Sequence, residues 1–480
     1  MEREAVIGLE AHVQLRTATK LFCRCPHRFG APPNTLVCET CLGYPGALPV
    51  PNRAAVDQAV RLAVALGATV ERRSAFDRKS YFYADLPKGY QITQERHPLA
   101  RGGHLPLVDD TGQVRLRRLH LEEDAGRSIH ADGEIQVDFN RAGVPLVEIV
   151  TEPELNSAAQ ARSALLGLHQ VLRYTEASDG RMAEGSLRCD ANISLRPRGA
   201  TELGSRVEVK NLNSFRNVAR AIEHEIERQG VILDAGGRVE QETRAWDERA
   251  GRTRPLRDKE TARDYRFHPE PDLPPIEVDD ARRHRLAAGL PELPRPRRMR
   301  FVSELGLDAQ TAATLTRDRA LADYVEAAIA ADGDTDATAI GRFVAHVVVA
   351  EQSERGLRDD QLPDVVSPTR LAALVRAVAD GTLSSTAAKQ VLAALWGRDA
   401  EPLDIAASLG VLQERDDSAL IEWARAAVTA HPMQAAEYRA GKTALLGFFV
   451  GRAMAESSGR ADPRALGEHL RAVLAEEVDA

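Results

Sequence analysis

Four of the five cysteines, Cys23, Cys25, Cys38 and Cys41, stand in one short stretch of the chain. The pattern is C-x-C, a loop, then C-x-x-C. Two such knuckles supply four soft ligands to one tetrahedron, the geometry Zn²⁺ takes. Four thiolates leave no open position for water or substrate. A zinc ion here is therefore structural, and its binding contributes about 10–16 kcal/mol to local folding. Two other readings stay open: four unrelated reduced thiols, or a C-x-x-C redox pair, which lacks a surrounding thioredoxin-like βαβ pattern. Cys189 is alone on the apolar side of its segment and reads as a small core residue.

A second constellation is rich in oxygen. Glu10 and His12 are two apart in an alternating segment, so both side chains leave one face of a strand. That spacing suits two ligands of one cation, and equally a solvated strand face. HLEEDAG brings Glu122, Glu123 and Asp124 together, and PLVEIV sets Glu148 inside an otherwise apolar run. A carboxylate there needs a charged partner or a metal. Asp190 is a further candidate. Carboxylates with one imidazole favour Mg²⁺ or Mn²⁺ over zinc. The cationic complement is RKSYFYADLPKGYQITQ, with Lys79, Tyr81, Tyr83, Lys88 and Tyr90. VEVKNLNSFRN adds Lys210, Asn211, Asn213 and Ser214 where a strand meets a helix, a place that favours anions. There is no phosphate-binding G-x-x-x-x-G-K-[ST] loop, no dinucleotide glycine pattern and no G-x-S-x-G elbow, so a nucleotide would be held by an unusual fold.

Strands must carry most of these groups. Ile7, Leu9, Ala11, Val13 and Leu15 alternate with Gly8, Glu10, His12 and Gln14. EIQVDFN, SLRCDANISL and RVEVKNL alternate in the same way. One apolar and one functional face predict an antiparallel sheet covered on one side. Helices are predicted from the Asn52 cap to Gly67, over 157–173 with Leu165, Leu168 and Leu172, and over 216–229 up to Gly230. The stretch GLPELPRPRRMRF, residues 289–301, reads as a linker or rigid hinge. Beyond it the chain is Ala- and Leu-rich with helical spacing, and a weaker break falls at Glu401-Pro402. The fold class is α+β: a sheet-built cradle over 1–292, an all-α domain over 293–404 and a small all-α tail over 405–480. With 480 residues, 43% hydrophobic and 28% charged, this is ordinary globular composition. A net charge of −8 argues against a protein that coats nucleic acid nonspecifically. No apolar run approaches the roughly 18 residues of a membrane span. The acidic start without an apolar segment predicts a cytoplasmic, reduced protein.

Seven stretches resemble one family. They are VIGLEAHVQL, FGAPPNTLVCETCLGYPGALPVPN, KSYFYADLPKGYQITQ, HLEEDAGRSIH, DFNRAGVPLVEIVTEPEL, VEVKNLNSFRNVARAIEHE and, near the end, AGKTALLGFFVGRAMAESSGRADPRAL. In this order they are similar to the B subunit of the tRNA-dependent glutamyl/aspartyl amidotransferase. The resemblance implies that glutamate on glutamine tRNA, or aspartate on asparagine tRNA, is phosphorylated by ATP and then amidated. It assigns Glu10, His12, Glu122 and Glu148 to Mg²⁺, and Lys79 and Lys210 to phosphate. Tyr81, Lys88, Asp190, Asn211 and Ser214 complete the expected nucleotide site, with zinc on the four cysteines. Ammonia would come from a partner amidase subunit through a channel, beside a small third subunit. Misacylated tRNA would meet the helical tail through residues such as Arg439, Lys442, Arg452, Arg460 and Arg464, whose alternative is a solvated helical face. The chain departs from the family pattern at His268, Ala11 and the 254–260 segment. Two other functions stay beside this one. One is a zinc-stapled tRNA-binding scaffold without an active site. The other is an aminoacyl-tRNA synthetase-like enzyme, for which neither a HIGH-type nor a KMSKS-type motif is present. A scaffold has no use for a Glu inside an apolar strand beside a Glu-x-His pair.

Overall fold

The computed structural model describes residues 2–131, 133–256, 265–333, 335–414, 416–457 and 459–475. Of the variant 254–260 segment, residues 257–260 lie outside them. The chain divides into two units, 1–295 and 296–480.

The alternation at the start of the chain becomes strand β1 (Arg3–Gln14), with Ile7, Leu9, Ala11 and Val13 buried. Strands β2 (Arg73–Ser80) and β3 (Tyr90–His97) pair in a smaller sheet. Strands β4 (Gln113–Glu123), β5 (Pro145–Thr151), β6 (Leu187–Pro197), β7 (Val207–Leu212), β8 (Glu242–Asp247) and β9 (Arg252–Pro255) join β1 in the large sheet. β1 is central, antiparallel to β5 on one side and β6 on the other, with β4 beyond β5. The sheet is not wholly antiparallel as expected: β7 and β8 run parallel. The reason is the long helix between them, a crossover that returns the chain in the same direction.

Three helices pack against the apolar face of the large sheet and share its core: α1 (Arg53–Ala65), α2 (Ala158–Tyr174) and α3 (Phe215–Asp234). Asn52 caps α1 by accepting from the Ala54 and Ala55 amides, and Ser157 caps α2 through Gln160 N. Leu165, Leu168 and Leu172 of α2 meet Val218 and Ile222 of α3 in the core with Leu9 and Val147. Gly67, at φ +66°, closes the end of α1 as expected. Helix α3 does not stop at Gly230. That residue keeps helical geometry, and the left-handed turn comes at Gly236, φ +74°.

One further expectation fails locally, and another holds at the division between the two units. EIQVDFN does form a strand, Glu134–Asp138, but it pairs only with Arg127–Ala131 in a two-stranded ribbon, and Ile135 is 59% exposed. Two strands paired only with each other form no sheet face that a core could cover. The proline-rich 289–301 segment is irregular only to Leu293; Pro294–Ser303 is a helix. Prolines 294 and 296 fall in its first turn, where backbone N–H groups have no helical partner.

Within 296–480 every described regular element of substance is helical. Phe301, Leu321, Val344, Leu371, Val391 and Ile405 belong to one core, and Leu420, Phe449, Leu466 and Leu470 to another. Among the expected tRNA contacts, Arg439 donates to the Leu474 carbonyl, Lys442 to Glu437 and Arg460 to the Ser457 carbonyl. Arg452 and Arg464 are exposed. No described helix is long and apolar enough to cross a membrane.

Candidate active site

The register of the large sheet builds a polar row across it. His12 on β1 lies opposite Glu148 on β5, and Glu148 lies opposite His120 on β4. On the other flank His12 faces Arg188, and Glu10 faces Asp190 on β6. Side chains two apart on a strand share a face, so Glu10 joins His12 and Glu122 joins His120. His12 Nε2 ends 3.7 Å from Glu122 Oε1, 3.7 Å from Glu148 Oε2 and 3.9 Å from Glu10 Oε1. His12 is thus shared by two triads of candidate ligands, one with Glu122 and Glu148 and one with Glu10 and Asp190, drawn from strands far apart in sequence. Asp190 stands within 4.8 Å of the Glu10–His12 pair. Oxygen ligands at about 2.1 Å from one Mg²⁺ lie about 3 Å apart when adjacent and about 4 Å apart when opposite. The separations around His12 fall in that range, and the donors are of the hard type the ion prefers.

The electrostatics divide these carboxylates. Burial raises Glu10, helped by Glu148 and opposed by His12. Burial alone would raise Glu122 and Glu148 too, but His120 and His12 outweigh it and hold both below the usual carboxylate range. Burial alone would strip the proton from His120; the two carboxylates reverse this and place it at about 9. His120 was not among the residues singled out from the sequence. Its signal was there: H-x-E in HLEEDAG mirrors E-x-H in the first strand.

The three consecutive acids of HLEEDAG separate. Glu122 enters the cluster and accepts from Thr93 Oγ1 at 3.1 Å. Glu123 points the other way, to Lys88 Nζ and the Ile92 amide. Asp124 takes Arg188 at 3.0 Å and Gln14 at 2.9 Å. Lys88 is thus committed to Glu123, packed against Gly43 of the cysteine loop and near the Tyr90 ring, away from the cluster. Lys79 is held 4.8 Å from the Tyr265 ring and forms no ion pair among the described residues, while its charge reaches Glu148. Tyr81 keeps its proton: burial first, then Glu122, Glu123 and Asp124, push its phenol upward. Lys210 is bonded to Asp190 at 3.0 Å and Glu208 at 3.1 Å. Asn211 is exposed at φ +64° in β7. Ser214 caps α3 through the Asn217 amide at 3.1 Å. His268 is exposed, its ring on the Arg266 carbonyl, so that departure from the family pattern disturbs no core.

The four cysteine sulfurs gather within 4.8 Å of one another, a group able to hold a metal ion. Cys41 is buried, beside Lys20, whose Nζ is 3.5 Å from its sulfur. Hydrogen bonding from Cys23 leads the causes that pull the Cys41 thiol down to about 5, while burial pushes Cys25 up to about 12. Cys189 is buried in the core as expected, and burial raises its thiol.

The sequence matches known proteins over nearly its whole length. Residues 5–284 match the GatB/GatE catalytic domain, and residues 323–474 match the GatB domain. The B subunit of the aspartyl/glutamyl-tRNA(Asn/Gln) amidotransferase of Halorhodospira halophila is 47% identical over 99% of this chain and 99% of its own length. Its counterpart in Chlorobaculum tepidum is 46% identical over 99% of this chain and all of its own, and that in Picosynechococcus is 45% identical over 98% and 97%. A catalytic-domain match over more than half of the chain, and near-half identity along its full length, make this protein a member of the GatB/GatE family.

Proposed function

We propose that this chain is the B subunit of a tRNA-dependent amidotransferase and carries its kinase and amidation chemistry. The substrate is glutamate on tRNA(Gln), aspartate on tRNA(Asn), or both. The observation that supports the reading is His12 shared between Glu122 with Glu148 and Glu10 with Asp190 on one face of the sheet, in a chain of this family. A carboxylate is a poor acyl donor because its leaving group would be oxide. Transfer of the ATP γ-phosphoryl group to the side-chain carboxylate, releasing ADP, makes an acyl phosphate. Ammonia then displaces phosphate and leaves the amide. Mg²⁺ held by Glu10, His12, Glu122 and Glu148 would neutralise charge on the transferring phosphoryl oxygens. Lys79, an ammonium on an aromatic ledge with no carboxylate partner among the described residues, would meet phosphate oxygens. Tyr81 offers a protonated hydroxyl beside the acids. Asp190 and Lys210 extend the polar row past Glu10 toward the nucleotide. Ser214 and Asn211 belong to the same end through α3, Ser214 acting by its cap.

Zinc on the four cysteines staples the loop after β1. Ammonia reaches the site from a partner amidase subunit, beside a small third subunit. The sheet-built part, 1–292, holds the chemistry; the helical parts, 293–404 and 405–480, hold misacylated tRNA. The test is Glu10→Gln and Glu122→Gln in the assembled complex. ATP-dependent amidation should fall at least about 10²-fold, with tRNA binding and assembly kept. Full amidation by both variants refutes the assignment and returns the chain to a scaffold role.

A further inference from the structure

We propose that His120 is a positioning residue: it fixes the two buried carboxylates Glu122 and Glu148 so that they face His12, and is not itself a cation ligand. The proposal rests on the cation reading above. It starts from the sheet. Strand register sets Glu148 between two imidazoles, His12 on β1 and His120 on β4, in one row across three strands. The two rings meet it differently. His120 Nε2 makes a close ion-pair contact of 3.2 Å with Glu148 Oε2, whereas His12 Nε2 is 3.7 Å from the same oxygen. Glu122 is shared in the same sense: Oε1 lies 3.7 Å from His12, and Oε2 lies 3.7 Å from His120 and 3.1 Å from Thr93 Oγ1.

Burial separates the rings as well. His120 is 2% exposed, while His12 and Glu10 are half-buried, on the side a cation and nucleotide must enter. Two carboxylates this close repel, and each can pivot about its own side-chain torsions. A donor wedged between them from below offsets the repulsion and removes the pivot. His120 Nδ1 is buried and has no hydrogen-bond partner among the described residues. Among the described residues the ring's polar contacts are therefore with these two acids. Groups that orient metal ligands in this way typically contribute 10–100-fold to metal affinity.

The test uses the full-length chain and Mn²⁺ alone as probe. Affinity is read from the free Mn²⁺ resonance in an EPR titration, and nitrogen ligands are counted by pulsed EPR. His120→Leu should weaken Mn²⁺ about 10–100-fold and leave the single imidazole coupling in place. His120→Gln, whose amide nitrogen reaches the Nε2 position, should recover most of that affinity. His12→Leu should remove the coupling. Loss of one of two nitrogen couplings in His120→Leu makes His120 a ligand and overturns the proposal. So does unchanged affinity in His120→Leu beside a large loss in His12→Leu. If His120→Leu does not fold, His120→Gln against the shorter His120→Asn decides, and equal affinity in those two overturns it. A wild-type chain that binds no Mn²⁺, or whose binding survives Glu10→Gln with His12→Leu, refutes the cation reading itself and the role of His120 with it.

Discussion

Replacing Glu225 with Gln should loosen the far edge of the large sheet, and the structure sets the size of the effect. Glu225 is fully buried on α3. It accepts from Arg228 Nε and Nη2, both at 2.9 Å, from Gln229 at 3.3 Å and from Thr253 of β9, and it pairs with Arg244 of β8 at 3.3 Å. One carboxylate thus ties the crossover helix to β8 and β9. Breaking a buried ion pair on one side costs about 3–5 kcal/mol. Here Glu242 also pairs with Arg244 at 2.7 Å and Arg228 at 3.4 Å, so the arginines keep a counter-charge. The lower end, about 3 kcal/mol, is expected. Trp246 is buried in β8 beside the His224 ring and reports this edge. In a Trp396→Phe, Trp423→Phe background its fluorescence should show a urea midpoint lowered by about 1 M. Burial would raise the Glu225 carboxyl, but Arg228 and Thr253 bring it below its ordinary value. A depressed carboxylate stabilises above its unfolded pKa and loses that contribution as pH falls through its folded one. The gap between wild type and variant should therefore be full at pH 7 and narrow below about pH 4. A gap under about 0.5 kcal/mol at pH 7, or one that widens in acid, refutes the reasoning.

Cys38→Ser should release zinc, measured by elemental analysis, and unfold the loop between β1 and α1; a soluble, zinc-free, fully active variant contradicts the structural role. Ser214→Ala should lower stability by about 1 kcal/mol through the lost α3 cap. Its KM for ATP should hold if the hydroxyl serves the helix alone, and a KM raised several-fold would put Ser214 on the nucleotide.

What could be read without the structure was local. Alternation from Ile7 to Leu15 identified β1, and Asn52 with Gly67 bracketed α1, because period and capping are properties of neighbouring residues. The C-x-C and C-x-x-C pairs were legible for the same reason: each knuckle is short. The sequence grouped Glu122, Glu123 and Asp124 as one acidic cluster, and the structure separates them. That Lys88 would take Glu123 was not legible, because Lys88 arrives from another segment of the chain. Gly230 misled because a glycine permits the left-handed turn that ends a helix without imposing it, and here the turn comes at Gly236. The exposed ribbon strand at Ile135 misled because alternation marks a face without saying whether a layer covers it.

The amino-acid order alone therefore determined the types of chemistry available, the strands and helices that carry them, and the family to which the motifs belong. The tertiary structure decided which groups meet. His12, His120 and Glu148 lie in three separate segments of the chain, yet strand register sets them side by side. Register depends on the burial of the opposite, apolar face against α1, α2 and α3, since a one-residue slip would turn every polar group inward. The covered side of the sheet thus fixes the geometry of the open side, and that dependence is nonlocal.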